Sequence, residues 1–345
     1  MERINLLGRT VAEMQDLMLE MGEKPFKGRQ LFKWLYGANQ PDFLHMTDLS
    51  LSVRHQLAEK YRFEGLVPEK ISRSRDGTEK ILFRLDDGNV VETVMIPEKA
   101  KKTICVSSQV GCALGCRFCA TGKIGFKRNL TTGEIVGQLL FIRRQYGPDS
   151  FQNIVFMGMG EPLMNFPNLI SSIGIISSEL GLALSAKKIT VSTVGLVPKI
   201  YELADTGLKV NLAVSLHAAT DEKRRAIMPV SRGYILSELM DAARYFTRKR
   251  KKRITFEYIL FEGFNDSFDD VLALSNLIKG IPCKINILAY NPVGSLPYNR
   301  PSDEKVDEFG RLLYPRAPAV TVRKSRGLDI DAACGQLAGK YLKSL

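Results

Sequence analysis

Beyond residue 100 the chain alternates short apolar strands with longer helix-like stretches, and this alternation restricts its fold more than any other feature. Candidate strands are TICVSS (103–108), NIVFMG (153–158), KITVST (188–193), VNLAVSL (210–216), RITFEYIL (253–260), KINILAY (284–290) and AVTVRK (319–324). Between most of them lie stretches with a three-to-four-residue apolar period, such as TTGEIVGQLLFIRRQYG (131–147) and SFDDVLALSNLIKG (267–280). Short apolar strands separated by helices form a parallel sheet whose faces are covered. So many units predict an α/β fold with a partial or complete (β/α) barrel of the TIM type; an open doubly wound sheet is the alternative. In a barrel the site lies at the carboxyl ends of the strands. Polar or glycine-rich clusters stand there: MGEPLMN after the second strand, Ser192-Thr193 at the third, Ser215-Leu216-His217 at the fourth and Asn291-Pro292 after the sixth.

The first 65 residues read differently. VAEMQDLMLEMG, KGRQLFKWLYG and SLSVRHQLAEKY have helical apolar spacing with glycine stops or a serine cap. From residue 66 to 100 the period changes, and apolar runs flank Asp87-Gly88, a hairpin signature. The expected layout is a helical unit over 1–65, a β-ribbon over 66–100, a barrel over 101–325 and a C-terminal segment over 326–345.

Four of six cysteines fall in CVSSQVGCALGCRFCATGKIGFKRNL (105–130), and Cys112, Cys116 and Cys119 follow a C-x3-C-x2-C spacing after the first barrel strand. Structural zinc takes four ligands, often as two C-x2-C pairs, and no second pair follows here. A four-iron cluster can be held by three cysteines, leaving one iron open, and short spacings of this kind suit iron–sulfur ligation over zinc. Cys283, in KGIPCKINIL, reads as a buried small hydrophobe; Cys105 and Cys334, taken locally, read the same way.

With GCALGCRFCATGKIGFKRNL, GMGEPLMN, VSTVG, SLH, MPV and DIDAACGQL together, the chain resembles the radical S-adenosylmethionine (SAM) superfamily. Within it, the chain is similar to the RlmN-type adenine-C2 methyltransferases of ribosomal and transfer RNA. That resemblance covers roughly residues 90–340 and changes several readings. It implies a [4Fe-4S] cluster on Cys112, Cys116 and Cys119, whose open iron binds the amino and carboxylate groups of SAM. It implies SAM contacts at Gly160, Glu161, Ser192, Ser215, Leu216, His217 and Asn291. It makes Cys334 the residue first methylated by one SAM, while a radical from a second SAM removes hydrogen from that methyl group. The carbon then joins the adenine, tying protein to RNA. Cys105 would release the product by attacking the Cys334 sulfur, leaving a disulfide, with Glu92 as proton acceptor. The implied partners are 23S rRNA, at the peptidyl transferase centre, and the anticodon loop of tRNA. An electron donor of flavodoxin or ferredoxin type is also implied, with no membrane and a monomeric chain.

Charge agrees with a polyanionic partner. The net charge is +12, yet residues 1–100 hold 15 basic against 16 acidic side chains and residues 101–345 hold 34 against 21. The excess therefore sits with the cysteines. FKRN (126–129) and RKSR (323–326) are the runs expected to meet RNA; RKRKKR (248–253) is equally a helix end or a phosphate contact. No run of about 18 apolar residues predicts a membrane span, and the early acidic residues argue against a signal peptide, so a cytoplasmic protein is expected. Three other readings compete. The first is the related enzyme group that methylates C8 of the same base. The second is a zinc-stabilised RNA-binding protein without catalysis, and the third a radical SAM enzyme with a small substrate.

Overall fold

The structure, a computed structural model, describes residues 3–294 and 296–337. A two-residue strand β1 (Ile4–Asn5) opens the chain, followed by helices α1 (Val11–Glu20), α2 (Phe26–Phe32) and α3 (Leu51–Lys60) and a second short strand β2 (Tyr61–Arg62), which pairs parallel with β1. Thr10 and Glu13 form a capping box on α1, satisfying amide groups its first turn leaves free. Leu31, Phe32, Leu35 and Tyr36 point inward and are fully buried, and this unit's core runs on into that of the barrel. It is tied to the rest of the molecule by Asn39, whose Nδ2 donates to the Leu140 carbonyl at 3.1 Å.

The ribbon consists of β3 (Val67–Arg73), β4 (Glu79–Arg84) and β5 (Val90–Glu98), antiparallel throughout. Asp87-Gly88 makes the β4–β5 turn, with Gly88 at φ 79°. The ribbon continues into the barrel sheet, because β5 pairs antiparallel with β6 (Lys101–Cys105). A small hairpin, β7 (Gln109–Gly111) and β8 (Phe126–Asn129), frames the cysteine loop and its helix α4 (Ala120–Ile124). Then come α5 (Thr132–Tyr146), β9 (Asn153–Phe156), α6 (Phe166–Ser177), β10 (Ile189–Thr193), α7 (Val197–Asp205), β11 (Asn211–Ser215), α8 (Asp221–Ile227) and α9 (Leu236–Arg250). The chain continues through β12 (Ile254–Leu260), α10 (Phe268–Leu277), β13 (Cys283–Ala289), α11 (Asp303–Leu313) and β14 (Val320–Arg323).

All seven strands expected after residue 100 form, and they pair parallel in the order β6-β9-β10-β11-β12-β13-β14, extended at the β6 edge by the ribbon to ten strands. Strand order follows chain order, as short right-handed βα crossovers require. The sheet does not close by strand pairing, yet it curves: Ile96 and Cys105 from one edge line the same cavity as Leu288 and Arg323 from the other. It is therefore a partial barrel. TTGE at residues 131–134 gives α5 a capping box, and Ser267 with Asp270 does the same for α10. Cys283 is fully buried in β13, as read from its surroundings. No described helix is long and apolar enough to cross a membrane.

The C-terminal segment after β14 runs across the barrel mouth, held from both sides. Asp76 in the β3–β4 turn accepts from the Gly327 amide at 2.9 Å, and Asp329 accepts from Ser74 Oγ at 2.5 Å and the Arg75 amide at 3.1 Å. On the far side the Ala120 amide donates to the Gly335 carbonyl at 2.8 Å, and Thr121 Oγ1 to the Leu337 carbonyl at 3.1 Å. Lys80 adds an interior tie. Its ammonium is 3.0 Å from Glu92 Oε1 and donates to the Asp331 carbonyl at 3.0 Å. Both side chains are buried, so Glu92→Ala strands a cation in a low-dielectric interior. We expect that variant to lose on the order of 3 kcal/mol of unfolding free energy. Denaturant titration checks it, and the pair Lys80→Met with Glu92→Leu is expected to recover most of the loss.

Candidate active site

At the carboxyl ends of the strands, Cys112, Cys116 and Cys119 line one wall of a cavity whose other walls come from β9, β10, β11, β12, β13 and β14. The loop that carries them is shaped by Gly111, at φ 73°, where a Cβ would lie 1.7 Å from the Gly125 carbonyl oxygen; no other residue fits. The Cys112 amide donates to that carbonyl at 3.0 Å, and the Cys119 amide to the Cys116 carbonyl at 3.1 Å. Burial pushes the Cys112 thiol up to about 11 and the Cys116 thiol well above its ordinary value. A dry pocket that disfavours free thiolates suits thiolates neutralised by metal. The surrounding shell is apolar and aromatic, with Phe118, Ile259, Phe261, Met228 and Leu288 packed about Cys116. Tyr290, 2% exposed, places its buried hydroxyl near Cys119. Three thiols on a dry, aromatic wall fit an iron–sulfur cluster.

The strand-end residues gather as expected. Gly160, at φ 97°, brings the chain against Gln109, whose Cβ would lie 2.4 Å from any added Cβ. Glu161 is 2% exposed, and its carboxylate accepts from the Leu163 amide at 3.1 Å and the Val194 amide at 2.9 Å. Burial raises its pKa to about 7 against those hydrogen bonds. Ser192 and Ser215 line the same cavity. His217 does too, in a left-handed conformation (φ 57°), with Nδ1 accepting from the Ile259 amide at 3.1 Å. Burial, with Arg224 adding repulsion, lowers its pKa to about 3, so the ring is neutral and carries its proton on Nε2. It stands edge-on to Phe118, ring centres 5.1 Å apart.

Two expected contacts sit elsewhere. Leu216 points its side chain into the core at 0% exposure, and its amide and carbonyl are engaged by the Glu257 carbonyl and by Arg224. Asn291 is turned toward the C-terminal segment: its Nδ2 donates to the Cys334 carbonyl at 3.2 Å, while Oδ1 accepts from Ser325 Oγ at 2.7 Å and Arg300 Nη1 at 3.0 Å.

Cys105 and Cys334, near opposite ends of the chain, line one smaller cavity together. Met157, Leu288, Arg323 and Cys334 line both this cavity and the one at the cysteine loop, so the two spaces adjoin. Cys334 is exposed and lines both cavities; desolvation by the protein around it raises its thiol while Arg323 pulls it down. Burial likewise raises Cys105, with the nearby Cys334 adding to the rise and Arg323 opposing it. Glu92 lines neither cavity. It lies on the same face of β5 as Val94, which pairs with Cys105, and is held by Lys80.

Several residues here were not singled out in the sequence. Glu257 lines the main cavity, accepting from Asn286 Nδ2 at 2.8 Å; burial raises its pKa, and Arg323 and Asn286 oppose the rise. A charged residue inside an apolar strand was its visible mark. Arg323 belongs to a run expected to meet RNA and stays exposed, yet it also lines both cavities, and Arg326 lies 4.0 Å from Asp76. Arg128, in the other such run, is held by Asp87 and, through two hydrogen bonds, by Glu134. Three residues of the run at 248–253 are engaged near the amino ends of β11 and β12, while Arg248, Lys251 and Arg253 are exposed. Arg250 donates to the Gly207 and Leu208 carbonyls, Lys252 to the Lys209 carbonyl, and Lys249 pairs with Asp205.

Comparison with known proteins agrees with this geometry. Residues 4–62 match the ribosomal RNA large subunit methyltransferase N-terminal domain, and residues 106–275 match the radical SAM superfamily. The dual-specificity RNA methyltransferase RlmN of Geobacter sulfurreducens is 47% identical, over 98% of this chain and 92% of that one. The protein of the same name from Francisella tularensis subsp. novicida is 44% identical, over 100% and 98%. A crystal structure of a radical SAM methyltransferase from Sphaerobacter thermophilus superposes with a TM-score of 0.91 at 41% identity, covering 97% of this chain and 99% of that one.

Proposed function

Because the chain belongs to the RlmN family of radical SAM RNA methyltransferases, we propose that it methylates C2 of an adenosine in 23S rRNA and of an adenosine in tRNA. In this reading Cys334 carries the methyl group and Cys105 releases the product. The observation that carries it is the meeting of Cys105 and Cys334 in a space adjoining the cavity of Cys112, Cys116 and Cys119. A zinc-stabilised binding protein gives that thiol pair no task.

Cys112, Cys116 and Cys119 would hold a four-iron cluster that, with SAM bound, would supply a radical able to take hydrogen from a methyl group. This chain's residues do the rest. Glu161 offers a carboxylate to the SAM ammonium, Ser192 and Ser215 offer hydroxyls, and His217 offers its Nε2 proton. Cys334, as thiolate, accepts a methyl group from one SAM, and Arg323 favours that charged form. The adduct formed when that carbon bonds to adenine C2 is a radical. Loss of one electron, back to the cluster that would have supplied it, and of the C2 proton restores the ring. Cys105 thiolate then attacks the Cys334 sulfur. The S–S bond forms as the S–C bond breaks, and the electron pair leaves with the carbon, which takes a proton. Glu92 receives the proton that C2 loses; an external dithiol reduces the disulfide.

The basic excess after residue 100 suits RNA, whose target adenine must leave its stack to enter the cavity. Residues 1–65 serve as the RNA-contacting accessory unit, 66–100 as the ribbon extension and 326–345 as the carrier segment. Every residue named for the site comes from one chain, so a monomer suffices, with a flavodoxin- or ferredoxin-type protein as electron source.

Glu161 gives the reading a pH dependence. Its folded pKa is raised, so the neutral form is favoured by folding below about 7, and that stabilisation is lost as pH rises through 7. Binding of the SAM ammonium has the opposite sign. Affinity of cluster-loaded protein, measured by equilibrium dialysis, is expected to fall about tenfold per pH unit below 7, and Glu161→Gln to abolish the slope. The function itself is tested by anaerobic assay of large-subunit rRNA with SAM and reductant, followed by nucleoside mass spectrometry. 2-Methyladenosine is expected; 8-methyladenosine, or a colourless zinc protein without product, overturns the reading.

A further inference from the structure

Arg224, in the middle of α8, has the largest fully buried side chain among the described residues. Its guanidinium reaches behind the strand ends. Nε donates to the Leu216 carbonyl at 3.2 Å, Nη1 to Ser231 Oγ at 2.8 Å, and Nη2 to the carbonyls of Val194 and, at 3.3 Å, Ser215. Every acceptor is neutral. Among the described residues no carboxylate forms an ion pair with it; Asp221 on the same helix is near, but one of its oxygens accepts from the Leu236 amide at 3.0 Å. A buried charge without a counter-charge is costly, and in native proteins such charges are paired. Val194, whose carbonyl Arg224 holds, lines the cavity together with Cys116, whose thiol this cation pulls down. The Val194 peptide also joins the two walls of the site, its carbonyl accepting from Arg224 and its amide donating to Glu161.

We propose that Arg224 is a positioning residue whose fixed charge is the counter-ion of the anionic cluster on Cys112, Cys116 and Cys119, setting how readily that cluster accepts an electron. The proposal rests on reading those cysteines as cluster ligands. Three thiolates bring more negative charge than an oxidised four-iron core offsets, and reduction adds one more. A cation fixed in a dry interior favours the reduced state, because the net charge and burial of a cluster govern its potential. The role differs from that of a strand-end clamp, which needs the fork of donors and not the charge. Lysine keeps the charge and loses the fork; glutamine keeps amide donors and loses the charge.

The test is a potentiometric titration, followed by electron paramagnetic resonance, of full-length wild type, Arg224→Lys and Arg224→Gln. Each is loaded anaerobically and studied without SAM, with iron content measured in parallel. At the potential that half-reduces wild type, Arg224→Gln is expected to show an approximately tenfold lower ratio of reduced to oxidised cluster. For one electron that is about 59 mV toward more negative potential. Arg224→Lys is expected to stay within about threefold of wild type. A glutamine variant that titrates with wild type, equal shifts in both variants, or loss of iron from both alike overturns the proposal in favour of a structural clamp. Wild type that binds zinc and no iron overturns instead the assignment of the cysteines, which separates the two failures.

Discussion

Replacing Cys334 by alanine is expected to abolish methylated product while leaving iron content and SAM binding at wild-type levels. The thiol contributes nothing to the ligand set of Cys112, Cys116 and Cys119, and its segment is held by bonds at Asp76, Ala120, Thr121 and Lys80 that do not involve its side chain. Removing it therefore deletes one covalent step and little structure. Losses on deleting a covalent nucleophile are at least about 10⁴-fold in turnover. Single-turnover assay of Cys334→Ala, with iron and SAM occupancy measured on the same sample, checks this. Wild type purified with SAM available is expected to carry one methyl group on Cys334, visible by peptide mapping.

Alanine at Cys112, Cys116 or Cys119 is expected to have an equally complete effect through a different cause. In this reading each supplies one of three ligands; Cys334 also lines the cavity but belongs to the carrier segment, His217 is engaged at Nδ1, and Glu161 accepts two amide bonds. Second-shell changes at metal sites cost about 10–100-fold in affinity; loss of a ligand costs more. Anaerobically purified variants are expected to be colourless and unable to cleave SAM with reductant, yet folded, because the ten-stranded sheet does not depend on the loop. Iron analysis and circular dichroism together separate this outcome from general misfolding.

The contrast between these variants follows the way the site is assembled. One half is local in sequence: the fourteen residues between β7 and β8 hold all three cysteines of the loop. The other half is not, since Cys105 stands on β6 and Cys334 on a segment that returns across the mouth after β14.

That difference decided what could be read from the chain. The seven barrel strands were legible because each is a short β-branched or apolar run followed by helical periodicity, with TTGE marking the start of α5. The cysteine spacing and the strand-end residues were legible because each is a local motif. The β1–β2 pairing was not, for two-residue strands nearly sixty positions apart have no period to detect. Nor was the orientation of Arg323, since a basic run reads as a solvated surface until the register places Arg323 beside Leu288 on the inner face. Glu92 was marked only by the resemblance and Lys80 by nothing; the fold of the carrier segment over them makes the pair an interior one. Arg224 lies in DEKRRAI, which resembles an exposed helix; its burial follows from α8 packing over the ends of β10 and β11.

The central claim is that Cys105 and Cys334 act in turn on one nucleobase, and Cys105→Ala tests it most directly. Incubated anaerobically with large-subunit rRNA, SAM and reductant, this variant is expected to stop at the covalent stage. Nuclease and protease digestion followed by mass spectrometry would then find adenosine joined through one carbon to the peptide that contains Cys334. Free 2-methyladenosine formed at the wild-type rate, or an adduct on another residue, would contradict the claim.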